Sequence, residues 1–401
     1  MAMARISVCP ATVGEGTGPW WIHIPTADGT LDPEPYDRAR MTGRITPVGE
    51  HALDGPGDLD AHLARLIPAN GPITIMIHGF QYAPEAPPAT PATRSANPHS
   101  QIYHFVEPDS EPGGEIERDS HATPWPKRLG FEDDSGETGL AVAFGWSSHP
   151  AYRHGTWRDW LSSVSWRQRG ATTYYARAYR RATNAGLALA ILIARLHAVA
   201  PGRPLSIYAH SLGTRVALKA VELLAERRHP ALGAMERIVL IAGAEHRGHA
   251  RAVLNAINQA RIGRPHVYNL MTTRDSVLEY WGRRFAAFVR REEFGPLTFW
   301  DRITRVLVGG TVIGRHGKPL FVRYSRWVDL CMDAPEVAEA LDLPEPGGRV
   351  DHWTLFTHPP FIAFAARLIR SDRPMRRLNR LFHHHPLAED SGRSRRILPV
   401  S

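Results

Sequence analysis

Residues Leu205-Ser206-Ile207-Tyr208-Ala209-His210-Ser211-Leu212-Gly213 carry the strongest chemical signal in the chain. An apolar, strand-like run ends at small-His-Ser-Leu-Gly and passes into a helical pattern. A serine on so sharp a strand-to-helix turn needs small residues two positions before and two after it, because larger side chains collide there. Ala209 and Gly213 supply them. Such a serine is a candidate nucleophile, and the helix behind it sets a positive dipole end near any oxyanion that develops. The plainer alternative is a serine that caps the helix. Strand, small flanks and amphipathic helix together favour the nucleophile.

A nucleophilic serine needs a base and an acid, expected further along the chain in the order Ser, acid, His. Thr272-Thr273-Arg274-Asp275-Ser276 follows the apolar run Val267 to Met271, so Asp275 is the expected acid. A cap for the helix starting near Ser276 is its alternative role. Glu245, in Ala242-Gly243-Ala244-Glu245-His246, competes for the acid. His352, in Val350-Asp351-His352-Trp353, is the expected base, with His358 its competitor. His383 to His385 read as surface. Upstream, Ile73 to Ile77 leads into His78-Gly79-Phe80. The backbone N–H groups of Phe80 and Leu212 are the expected oxyanion donors. His78, Gly79, Trp146 and His210 are expected around the substrate. His78 would also organise its loop, and Trp146 would either wall an acyl pocket or pack in the core. His246 and His249 adjoin Glu245, but no established metal-ligand spacing appears, so no metal is expected.

Positioning these residues takes alternating strands and helices. Short apolar runs at Ile73–Ile77, Leu140–Phe144, Leu205–Ala209, Ile238–Ala242 and Val267–Met271, with a sixth within Leu320–Val328, suit parallel strands buried on both faces. Helical patterns cover Thr172–Val199, Leu212–Arg228, Ala250–Ala260, Ser276–Arg291, Ala334–Leu341 and Phe361–Arg370. The alternation predicts an α/β class with a mostly parallel sheet. Residues 1–372 read as one domain. Within it, 83–139 is rich in Pro, Gly and acidic residues, an irregular insertion expected to act as a lid. Residues 373–401 read as a basic C-terminal tail.

The composition suits a soluble globular protein: 43% hydrophobic and 22% charged residues are ordinary for such a chain. The net charge is +8, and only Lys127, Lys219 and Lys318 of the 48 basic residues are lysine. The arginines are scattered without interleaved aromatics, which argues against a nucleic-acid partner. Cys9 and Cys331 would suffice for one disulfide, far short of a framework. The N-terminus lacks the apolar core of a secretory signal, so a cytoplasmic location is expected. The longest apolar segment, Gly186 to Leu196, contains Arg195 and is shorter than a membrane span.

His78-Gly79-Phe80, Phe144-Gly145-Trp146-Ser147-Ser148 and Ala209-His210-Ser211-Leu212-Gly213 together resemble the α/β-hydrolases of the lipase/esterase superfamily. The likeness is to a bacterial group with the pattern His-Gly-Phe, Phe-x-Trp-Pro-Ser and Ala-His-Ser-Met-Gly, and spans about residues 70 to 360. The chain departs from it by Ser147 in place of Pro and by the 83–139 insertion. The resemblance implies the α/β-hydrolase fold, Ser211, Asp275 and His352 as the triad, and hydrolysis of a small-molecule or lipid-like ester without a cofactor. Thioester or amide cleavage, and a binding protein that keeps the fold without turnover, are the alternatives.

Overall fold

The computed structural model describes residues 3–10, 20–24, 44–45, 58–86, 95–103, 124–131, 138–149, 170–263, 265–280, 312–315, 326–343, 350–371 and 395–397. Among these, ten strands form one sheet in the order β10-β9-β8-β7-β6-β4-β5-β1-β2-β3. They are β1 Met3–Pro10, β2 Trp20–His23, β3 Arg44–Ile45, β4 Ile73–Ile77, β5 Leu140–Trp146, β6 Leu205–His210, β7 Met235–Ile241, β8 His266–Met271, β9 Trp327–Cys331 and β10 Arg395–Ile397. The seven strands from β1 to β9 through the centre run parallel, and short β10 joins β9 in the same sense. At the far edge β2 pairs antiparallel with β1, and β3 antiparallel with β2. The protein therefore has an α/β fold.

Parallel strands need both faces covered, and the side chains of each central strand alternate between two apolar layers. Ile73, Ile75, Ile77, Leu205, Ile207 and Leu240 face one layer. It is built by α1 (Asp58–Leu66), α4 (Gly170–Val199), α5 (Gly213–Glu226) and α7 (Arg247–Ala260). Met76, Ala143, Tyr208, Val239, Ile241 and Leu270 face the other. That layer holds α3 (Trp125–Arg128), α8 (Pro335–Leu341), α9 (Thr354–Thr357) and α10 (Pro359–Arg370). The remaining short helices are α2 (Pro98–Gln101) and α6 (Ala231–Ala234).

Several expectations need correction. The run expected within 320–328 forms its strand at Trp327–Cys331; residues 320–325 lie outside the described set. The helix expected over 276–291 is described only for 276–280. Residues 395–397, read as part of a tail, add a strand to the sheet. Described parts of the 83–139 stretch pack into the core: Trp125, Leu129 and Phe131 are fully or nearly fully buried. The Arg370 guanidinium donates to the carbonyls of Leu129, Gly130 and Thr138, tying this stretch to α10. Residues 87–94, 104–123 and 132–137, where any lid would lie, are outside the described set. Cys9 and Cys331 are both buried and are not joined in a disulfide. One helix segment, Tyr175–Val199, is long and apolar enough to cross a membrane, with a mean hydropathy of 1.5, contrary to the expectation of none. In this fold it packs on α1, α5 and the sheet, and 67% of its most apolar stretch is buried.

The strand order contains a switch point. β4 lies between β5 and β6, and the chain leaves β4 toward one edge and β6 toward the other. Such a reversal opens a crevice beyond the carboxyl ends of the two strands. His78-Gly79-Phe80 follows β4 and Ser211 follows β6, so both loops meet there.

Candidate active site

Ser211 has φ 51°, a left-handed conformation unusual for a residue with a side chain. The turn is held from both sides. The Ser211 N–H donates to Ile241 O at 2.9 Å. Its carbonyl accepts from Thr214 Oγ1 at 2.7 Å, Thr214 N at 3.1 Å and Ala244 N at 3.0 Å. Glycine is required two residues later, because a Cβ on Gly213 would stand 2.4 Å from the His78 carbonyl oxygen. A Cβ on Gly79 would likewise stand 2.8 Å from Ser211 Cβ. Gly213→Ala should therefore force the β4 loop and the serine turn apart. We expect a loss of about 1–3 kcal/mol, read as a lower denaturation midpoint. An unchanged midpoint would contradict this contact.

Asp275 and His352 are brought together across 77 positions of sequence: His352 Nδ1 lies 2.7 Å from Asp275 Oδ2. Asp275 is fully buried and His352 nearly so. Both roles foreseen for Asp275 coexist, since its other oxygen, Oδ1, accepts from Leu278 N at 2.7 Å and caps the helical residues 276–280. The Nδ1 contact to a carboxylate leaves Nε2 as the nitrogen able to take a proton. The His352 ring lies 5.0 Å, centre to centre, from that of His210, the residue before Ser211. His210 is buried. Burial, then the neighbouring His352 and His78, push its pKa well below the ordinary value, so it stays neutral.

Phe80 and Leu212 flank the turn, and neither amide donates to an acceptor among the described residues. The loop carrying Phe80 is held by several hydrogen bonds. His78 Nδ1 donates to Gly79 O at 2.9 Å, and its Nε2 accepts from Trp146 N at 2.9 Å. The Trp146 indole N–H donates to His78 O at 2.9 Å, and the two rings stack. With both nitrogens used in the neutral form, burial lowers the His78 pKa to about 3. Gln81, next in the loop, has φ 79°, and Ser148 clasps Tyr82 beyond it through both N–H and O. The Trp146-Ser147-Ser148 segment is therefore the clamp on the Phe80 loop. Trp146 is fully buried. Ser147, where the resemblance has proline, donates its N–H to Val8 O at 3.0 Å, a bond proline lacks the hydrogen to make.

Glu245, the competitor for the acid, belongs to a separate network. It is fully buried and lies 3.2 Å from Arg215 Nη1 and 2.7 Å from His249 Nδ1. His249 Nε2 reaches Glu222 at 3.1 Å, and Glu222 reaches Lys219 Nζ at 2.6 Å. Tyr179 donates to Glu245 and lies under the Arg215 guanidinium. His246 caps α7 by accepting from Gly248 N. No cluster of three or more His, Cys, Asp or Glu suited to a metal occurs among the described residues. Neither the clamp of Ser148 nor the Glu245 network was foreseen from the sequence. His358, the competitor for the base, instead precedes α10.

Comparison of the chain with protein-family models, with curated proteins and with solved structures finds no match.

Proposed function

We propose that the chain is a serine hydrolase of the α/β-hydrolase kind that cleaves carboxylic esters. The observation that carries this reading is the left-handed Ser211 at the tip of β6, next to His210, whose ring lies 5.0 Å from that of His352, itself hydrogen-bonded to Asp275. In this reading His352 Nε2 takes the Ser211 hydroxyl proton as Oγ attacks the acyl carbonyl. The proton then passes to the departing alcohol. Asp275 holds the ring orientation and stabilises the imidazolium. The Phe80 and Leu212 amides stabilise the tetrahedral oxyanion, each worth about 10²–10³ in kcat. Water attacks the acyl-enzyme with His352 as base, which frees the acid and returns the proton to Ser211. The Gly79–Ser211 approach supports this, because it brings the two donor loops within reach of one oxygen. The strand exchange at β5-β4-β6 supports the fold reading, since it puts the serine at the crevice rather than at a sheet edge.

The test is a fluorophosphonate label located by mass spectrometry, run beside hydrolysis of short- and long-chain p-nitrophenyl esters. The expected result is label on Ser211 and ester turnover by the same preparation. Folded protein that neither labels nor turns over would overturn the reading.

A further inference from the structure

Four rings form a closed circuit beside the proposed base. His352 meets Trp353 at 5.4 Å between ring centres, Trp353 meets Phe356 at 5.9 Å, Phe356 meets His210 at 4.0 Å, and His210 meets His352 at 5.0 Å. Three of the four are buried. Trp353 alone opens outward, with 42% of its surface exposed, one of three large hydrophobic residues this exposed among those described. It is held in place. Asp351 Oδ1 accepts from Trp353 N at 2.9 Å, from Thr354 N at 3.0 Å and from Thr354 Oγ1 at 2.9 Å, which fixes the turn carrying the indole. Burial opposes a charge on Asp351, but these donors outweigh it and hold its pKa below the usual range.

We infer that Trp353 forms a subsite for the leaving alcohol of the ester, and that this alcohol is aromatic. The inference rests on the hydrolase reading. His352 must deliver its proton to the leaving oxygen, so that oxygen lies within hydrogen-bond reach of Nε2. The group attached to it then departs alongside the imidazole, where the ring Trp353 offers is preorganised and wet. An aromatic group covering that ring gains both apolar burial and ring–ring contact. A one- or two-carbon alcohol is too small to cover it.

The test compares benzyl acetate with ethyl acetate, which share an acid and differ in the alcohol, for wild type, Trp353→Ala and Trp353→Phe. Trp353→Ala should lower kcat/KM for benzyl acetate about tenfold or more and leave ethyl acetate, which also reports folding, within about twofold. Trp353→Phe should restore most of the benzyl activity. Equal losses on both esters, or none on either, would overturn the subsite. Benzyl alcohol binding, followed by NMR in wild type and Trp353→Ala, decides the matter without turnover. Binding weakened in the variant supports the subsite, and binding that is absent or unchanged rejects it. Failure of the hydrolase reading is distinct: no Ser211 label and no hydrolysis of either ester.

Discussion

Ser211→Ala is expected to lower kcat by about 10⁶, and Asp275→Asn alone by about 10⁴. The aspartate effect follows from one bond. Asp275 Oδ2 accepts from His352 Nδ1 at 2.7 Å, and only that tautomer leaves Nε2 bare to take a proton from the serine. An asparagine amide can present N–H to Nδ1 instead, which moves the ring proton to Nε2 and faces it toward the nucleophile. Because serine, histidine and aspartate act in one step, the double variant should be no slower than Ser211→Ala. Stability should separate cleanly from activity here. Asp275 also caps the helical residues 276–280 through Oδ1, and asparagine caps as well as aspartate. Kinetics with a p-nitrophenyl ester, beside a denaturation curve for each variant, measures both. Asp275→Asn retaining more than about a tenth of wild-type kcat would remove Asp275 from the triad.

The central strands were readable because each is a short unbroken apolar run, buried on both faces. β4 matches its expected span, and β5, β6, β7 and β8 differ from theirs at the ends by up to three residues. The first strand was not readable, because Arg5 and Ser7 interrupt Met3–Pro10. Ser7 is nonetheless buried, since His99 Nε2 lies 2.8 Å from its hydroxyl. A polar residue satisfied by a partner 92 positions away leaves no local trace. The candidate triad shows the same division. Sequence order placed Ser211, Asp275 and His352, but Asp275 and Glu245 both follow strand ends and look alike there. What separates them is their partners: His352 for one, Arg215 and His249 for the other. Trp146 illustrates a third limit. Its motif pointed to the site, yet whether the indole lines a pocket or braces a loop depends on the bond to the His78 carbonyl, which spans 68 positions.

Glu245→Ala is expected to cost about 3–5 kcal/mol of stability, because it strands Arg215 in the interior beside a second cation. Burial opposes a charge on His249. The Glu245 carboxylate and the hydrogen bonds His249 donates to Glu222 and Glu245 outweigh it and raise the pKa from 6.5 to about 9. Burial also opposes charge on Glu222, but its bonds to His249 and Lys219 hold it near 2. His249 thus binds its proton more tightly folded than unfolded. Its contribution is fully present below pH 6.5 and is lost as pH rises toward 9, a displacement equivalent to about 3 kcal/mol. His78, lowered by burial to about 3, works in the opposite sense and costs stability as pH falls below 6.5. Wild-type stability should therefore decline between pH 6.5 and 9, and His249→Gln should flatten that decline. Chemical denaturation at several pH values reads both variants. A Glu245→Ala loss under about 1 kcal/mol, or a His249→Gln curve parallel to wild type, would show that the network carries no net charge pairing. The network also reaches the site, because Glu245 follows Ala244, whose N–H bonds the Ser211 carbonyl at 3.0 Å. Loosening Glu245 should thus relax the strained serine turn as well, and the rate of fluorophosphonate labelling at Ser211 should fall along with stability.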